Sequence, residues 1–292
     1  MRRFLLLIAF LFVCVQSLHA QIQVGLEIKR KFLMVYEPIV ATVTVTNLAG
    51  RDVTLADSPT QSWFGFQINR ADGQIVPPMN PDYKLSSLTI PAGQSVKRSI
   101  VLNSIYPVRE LGLYRVRAII YFSATEKYYQ SQLINLELSE GKTIWQQTVG
   151  VPEGAEGAGS TRKLSLLTFR QSEYTMVYVR IEDVDNGTIF VTTALGRVIA
   201  GLEPDAQLDM QNNLHVLQVA GAKTYLYSCI KLNGDLLAQN TYYAVKTRPT
   251  LRKDASGMVG VVGGDLQPEG AGTDKMKKAN KLSDRPVQIP KE

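Results

Sequence analysis

The chain has 292 residues, with 32 Lys and Arg against 26 Asp and Glu, and 45% of its side chains are hydrophobic. The net charge of +6 is spread along the chain, apart from a KMKK stretch near the C-terminus. Nucleic-acid binders concentrate basic residues on one face, so this class is disfavoured. One of the two cysteines and one of the two histidines lie in the first twenty residues; without that segment a single Cys and a single His remain, which excludes an internal disulfide and puts a zinc site of the usual Cys/His type out of reach unless carboxylates supplement them.

The N-terminus MRRFLLLIAFLFVCVQSLHA has a basic pair, an apolar run from Phe4 to Val15 and a short polar stretch ending at Ala20. This is the layout of a secretory signal peptide, and the run is shorter than the ~20 apolar residues that span a bilayer. Residues 1–20 are therefore expected to be removed, with cleavage after Ser17 as the alternative. Cys14 is preceded by Phe12 and Val13, where a lipidation signal wants small residues. The expected product is secreted or periplasmic and has no further membrane-spanning stretch. Cys14 and His19 leave with the signal, so Cys229 and His215 remain as the only residues of their kinds.

Residues 21–141 read as short β-branched and aromatic runs separated by turns. IVATVTVTN (Ile39–Asn47) alternates apolar residues with Thr, the period of a half-buried strand. WFGFQINRADGQIV reads as strand, turn at Asp72-Gly73, strand. VKRSIVL, LYRVRAIIYF and YYQSQLINLEL continue the pattern, which predicts seven to nine strands and a β-sandwich. MVYEPIVATVTVTNLAGRDVTL and ELGLYRVRA (Glu110–Ala118) resemble the opening and late strands of immunoglobulin-like bacterial surface domains. That resemblance implies a tyrosine corner at Tyr114, a core position at Val116 and a packed tryptophan at Trp63. The cysteine pair of antibody domains is missing.

Residues 142–162 include PEGAEGAGSTR, a Gly- and Ala-rich stretch expected to be a linker. Its glycine spacing matches no phosphate-binding loop. Residues 163–264 form a second expected domain, of β-meanders. MVYVRIEDVDNGTIFVTTALGRVIAG (Met176–Gly201) can be laid over LHVLQVAGAKTYLYSCIKLNGDLLAQ (Leu214–Gln239). Turns are predicted at Asn186-Gly187, Leu195-Gly196, Gly221-Ala222 and Asn233-Gly234, the Asn-Gly pairs being type I′ signals. PDAQLDMQNNLHV (Pro204–Val216) is echoed by PTLRKDASGMVGV (Pro249–Val261) as Pro, Asp, Asn or Gly, then alternating apolar residues. These are turn-and-strand residues, so Asp209 and Asp254 are expected to fasten loop backbone at a joint between repeats. The period resembles that of β-propeller blades, of which only about two are present, and a packed sandwich or partial barrel is preferred. Residues 265–292 are polar and expected to be a disordered tail.

Chemistry has few places to reside. No G-x-S-x-G elbow presents a serine to His215. The sharpest catalytic candidate is a Cys229–His215 dyad: a three-residue loop at Gly221–Lys223 sets the two face to face, and a two-residue loop sets them on opposite faces. EDVDNG (Glu182–Gly187) departs from the calcium-loop order and reads better as a hairpin turn. Glu203, Asp205 and Asp209 are expected to solvate a loop. The tyrosine pairs Tyr128/Tyr129, Tyr225/Tyr227 and Tyr242/Tyr243 read as packing residues, with sugar stacking as the alternative.

The sequence thus predicts an all-β protein, an immunoglobulin-like sandwich followed by about two blade-like meander repeats. It assigns no catalytic, cofactor-binding or metal residue and no cofactor. The expected function is non-enzymatic binding of an envelope or secreted protein, without nucleic acid. The alternative is a carbohydrate-binding module, or an accessory or inhibitory module for an exported hydrolase.

Overall fold

The computed structural model describes residues 21–154 and 157–267. The expected signal peptide, residues 1–20, and the tail beyond residue 267 lie outside the described residues. The fold is all-β: twenty-one strands among the described residues, with one 3-10 turn at Leu102–Ser104. The chain divides into two compact units. The first comprises residues up to Lys29, Val40–Ile100 and Tyr114–Asn135; the second comprises Arg30–Ile39, Val101–Leu113 and everything from Leu136.

The first ten strands are β1 (Ile22–Glu27), β2 (Phe32–Met34), β3 (Val40–Asn47), β4 (Val53–Leu55) and β5 (Phe64–Arg70), then β6 (Leu88–Ile90), β7 (Ser95–Val101), β8 (Gly112–Phe122), β9 (Lys127–Gln130) and β10 (Ile134–Ser139). Ten rather than seven to nine appear because β2, β4 and β6 have only three residues each, too few to show a period. In the first unit β1, β3 and β7 form one sheet, β4 pairs with β6, and β8 pairs with β5 and β9. β3 shows why its pattern makes a strand. Ala41, Val43 and Val45 are buried, while Thr42 and Thr46 face outward and share hydroxyl hydrogen bonds with Ser99 and Ser95 of β7 at 3.1 and 2.7 Å. Asn47 ends the strand buried; its amide donates to the carbonyls of Arg51 and Ile90 and accepts from Ala49 N–H. Trp63, Tyr114 and Val116 are all buried, and the Trp63 indole N–H donates to Leu85 O at 3.1 Å.

The second unit contains β2 and β10, paired in parallel, and β11 (Lys142–Gly150), β12 (Thr161–Arg170), β13 (Thr175–Asp183) and β14 (Ile189–Val198). Next come β15 (Asp205–Leu208), β16 (Leu214–Val219), β17 (Thr224–Ile230) and β18 (Leu236–Tyr243), and finally β19 (Thr250–Lys253), β20 (Val259–Val262) and β21 (Asp265–Leu266). β11 to β14 form one antiparallel meander, β15 to β18 a second with β21 added, and β19–β20 a hairpin. The stretch 142–150, placed in the expected linker with the Gly- and Ala-rich residues that follow it, is instead β11, an edge strand whose side chains are mostly exposed. Leu195-Gly196, expected as a turn, lies inside β14 as a bulge opposite Val177. Gly196 has φ 131, and a Cβ there would meet Leu226 at 2.8 Å, so the glycine serves close sheet approach rather than a turn.

The sheets of this unit stack in order, each strand feeding both of its faces. Leu164 and Leu166 of β12 and Val177, Val179 and Ile181 of β13 meet Leu214, Val216 and Ile230 of the second meander. The alternate residues Leu167, Phe169 and Tyr178 face the other way and pack with Met34. Leu217, Tyr225, Tyr227 and Cys229 turn to the opposite side of the second meander, where Leu251 and Val259 of the hairpin cover them. Two-sided burial accounts for the near-continuous apolar runs LSLLTF and TYLYSCI.

Candidate functional site

The layer between the β15–β18 sheet and the β19–β20 hairpin holds the chemistry-bearing residues. The turn after Val219 has three loop residues, with Ala220 N–H bonded to Thr224 O at 2.9 Å. His215 is thereby the direct cross-strand partner of Cys229, as the longer-loop alternative required. Their Nε2 and Sγ atoms are 3.7 Å apart and both residues are 5% exposed.

The remaining contacts decide what this pair can do. His215 Nε2 lies 3.1 Å from Asp209 Oδ2, and Nδ1 lies 2.8 Å from the Tyr227 hydroxyl. A carboxylate only accepts, so Nε2 carries the proton it donates to Asp209, and Nδ1 pairs with the Tyr227 hydroxyl. Both ring nitrogens are engaged, so neither is free to take the thiol proton. Burial, reinforced by the Asp209 charge, pushes the Cys229 thiol above its ordinary value. Burial also raises the Tyr227 phenol, with Cys229 adding to it. A nucleophilic cysteine needs the reverse environment, so the cluster is a satisfied buried network.

Asp209 is the hub. Burial acts to raise its carboxyl, but hydrogen bonds from the Asn213 side chain, from His215 and from the Asn213 and Gln211 backbone outweigh this and hold it below the ordinary range. Its Oδ1 takes Gln211 N–H at 2.9 Å and Asn213 N–H at 2.8 Å. Asp254 repeats the pattern with Ser256 and Met258 N–H at 2.9 and 3.0 Å. Both aspartates fasten loop backbone, as expected. Their turns, however, join the first and second strands within a meander or hairpin rather than linking repeats. DAQL and TLRK are strands too short to show a period.

The other candidates separate. Asp183 is engaged by Arg162 at 2.6 Å, with both side chains 8% exposed, and its other oxygen takes Asp185 N–H at 2.9 Å. EDVDNG is thus a turn closed on a buried ion pair. Among the described residues no group of three or more His, Cys, Asp or Glu is placed to hold a metal ion. Glu203 and Asp205 part from Asp209 and line a cleft of about 160 Å³ with Leu217, Val219, Tyr225, Arg248, Pro249 and Thr250. Tyr225 and Tyr227 are buried, and Tyr242 packs against the same cluster. Tyr128 is 53% exposed and stacks on Tyr121 at 4.9 Å. No described helix is long and apolar enough to cross a membrane.

No family model and no curated protein matches this chain. Among solved structures it is similar to the sporulation control protein Spo0M from Bacillus subtilis, at 8% identity, over 61% of this chain and 91% of that one, with a TM-score of 0.27. A superposition this loose carries no argument about fold or function.

Proposed function

We propose that the chain is an exported, non-enzymatic binding protein of the envelope or extracellular space that takes an extended segment of a partner protein along β11. The observation that carries this reading is the free flank of that strand. Among the described residues β11 pairs only with β12, and its nine residues present a mostly exposed row. An unpaired strand edge is a template for strand addition, in which backbone hydrogen bonds supply affinity. Ile144 and Trp145 pack against the core beneath and anchor the strand. The buried His215 network supports a non-catalytic reading, since it spends the hydrogen-bonding capacity that catalysis would use.

In this reading the first unit is an immunoglobulin-like sandwich, supported by the burial of Trp63, Tyr114 and Val116. The two four-stranded meanders are blade-like repeats, supported by their stacking. The alternative, a carbohydrate-binding or accessory module, has the exposed Tyr128, set against half-buried Tyr121, in its favour.

The test uses proline at Gln146 and, separately, at Gln147. Neighbouring residues of a strand aim their N–H groups to opposite flanks, so one proline breaks the β12 ladder and the other removes an outward donor. Pull-down from envelope extract with the mature chain should retain a partner. The variant of unchanged thermal stability should lose it; retention by that variant would overturn the proposal.

A further inference from the structure

The cleft named above lies between the two echoed segments. Glu203 and Asp205 line it from the segment that enters β15, and Arg248, Pro249 and Thr250 from the segment that enters β19. Leu217, Val219 and Tyr225, at the far end of the face that carries His215 and Cys229, form its floor. At this end of the layer the polar groups are left open. Among the described residues neither Glu203 nor Asp205 makes a side-chain hydrogen bond or ion pair, and the Arg248 guanidinium contacts only the Tyr225 ring, 5.7 Å from its centroid. Tyr225 is 7% exposed, yet its hydroxyl has no hydrogen-bond partner among the described residues. The Tyr227 hydroxyl two residues away bonds His215 at 2.8 Å, whereas that of Tyr225 is left accessible in the cleft.

From these features we infer that the cleft binds a small zwitterion of amino-acid size. Its ammonium meets Glu203 and Asp205, its carboxylate meets Arg248 and the Tyr225 hydroxyl, and its apolar body lies on Leu217, Val219 and Pro249. Size sets the class. A cavity of about 150 Å³ accommodates a six-carbon ring, and drug-sized ligands need about 300 Å³ or more. Charge sets the kind: two carboxylates from one segment and a guanidinium from another, not paired with each other, line the same cleft and suit a ligand that carries both signs. Charge-assisted hydrogen bonds are the stronger class, so both ends contribute. This site is independent of the β11 edge.

Isothermal titration of the mature chain with free leucine tests the assignment, alongside leucinamide, N-acetyl-leucine and N-acetyl-leucinamide. Leucine should bind saturably, the two half-charged analogues about tenfold more weakly, and the doubly capped one not at all. Arg248→Ala and Glu203→Gln, both at exposed positions, should each weaken leucine binding about tenfold. Tyr225→Phe should weaken it several-fold without loss of thermal stability, because no protein hydrogen bond is removed. Absence of saturable leucine binding, leucinamide binding as well as leucine, or unchanged binding in the Arg248 and Glu203 variants would each overturn the inference. The Gln146 and Gln147 proline variants should bind leucine normally, which separates this site from the strand-edge proposal.

Discussion

Asn212 and Gly257, 45 residues apart in the sequence, occupy the same place in two copies of one turn. Both are left-handed, with φ 61 and φ 80. Each donates its N–H to the carbonyl of an aspartate three residues earlier, Asp209 at 3.1 Å and Asp254 at 3.0 Å. Only glycine adopts this conformation freely, with asparagine the next most tolerant. Asn212→Gly relieves the backbone but removes the Asn212 Nδ2 hydrogen bond to Gly150 O at 3.1 Å, so it should change stability by less than about 1 kcal/mol, read from the urea midpoint. Gly257→Ala should destabilise it by about 1–2 kcal/mol, while Met210, 66% exposed, swings aside from the new Cβ. Equal effects at the two sites would mean that the turns are not equivalent.

Asp209 should contribute to the acid limb of the stability curve. Its folded carboxyl lies below the ordinary value of 3.8. The stabilisation is thus complete above that value and is lost as pH falls through the lower folded one. Asp209→Asn should flatten this limb below about pH 4. Asp209→Ala should cost about 2–4 kcal/mol at neutral pH, because His215 and two turn amides lose their acceptor. Denaturant titrations across pH will show whether the acid limb follows Asp209.

Cys229 should behave as an inert core thiol. Under native conditions a thiol reagent should modify it no faster than the chain unfolds, and denaturant should make modification rapid and stoichiometric. Fast labelling of folded protein would restore the dyad with His215.

Breaking the Arg162–Asp183 pair from one side should be severe. Arg162→Ala should destabilise by about 3–5 kcal/mol by stranding a buried carboxylate. Replacing both residues with apolar ones should recover most of that loss, and a double-mutant cycle measures the coupling. Added calcium should leave the melting temperature unchanged, since the guanidinium already fills the carboxylate's coordination.

How far the molecule was legible in sequence depended on how local each signal was. The alternation in β3 and the apolar runs of β12 and β17 are local, so the all-β class was readable. Asn-Gly at 186–187 and 233–234 marked real turns, but only Gly187 and Gly234 have positive φ. At 231–235 the turn closes with Gly234 N–H on Lys231 O and Lys231 N–H on Asp235 O, a longer connection than the expected type I′ pair. The facing of His215 and Cys229 followed from loop length once that was fixed. Asp209 reaching His215 did not, because the 209–213 turn must first aim the carboxylate across the strand. The cleft was invisible for the same reason: Glu203 and Arg248 come to line one cleft only after two turns have folded the echoed segments together.

The β19–β20 hairpin has a further consequence. It lays Leu251 and Val259 over the second meander and turns exposed Thr250 and Arg252 outward. A stack of sheets grows as long as each new face is apolar; this hairpin presents a polar one. It serves as an end cap, keeping aromatic Tyr225 and Tyr227 from recruiting another layer, and shortening the chain before Thr250 should convert a self-limiting stack into a sticky one.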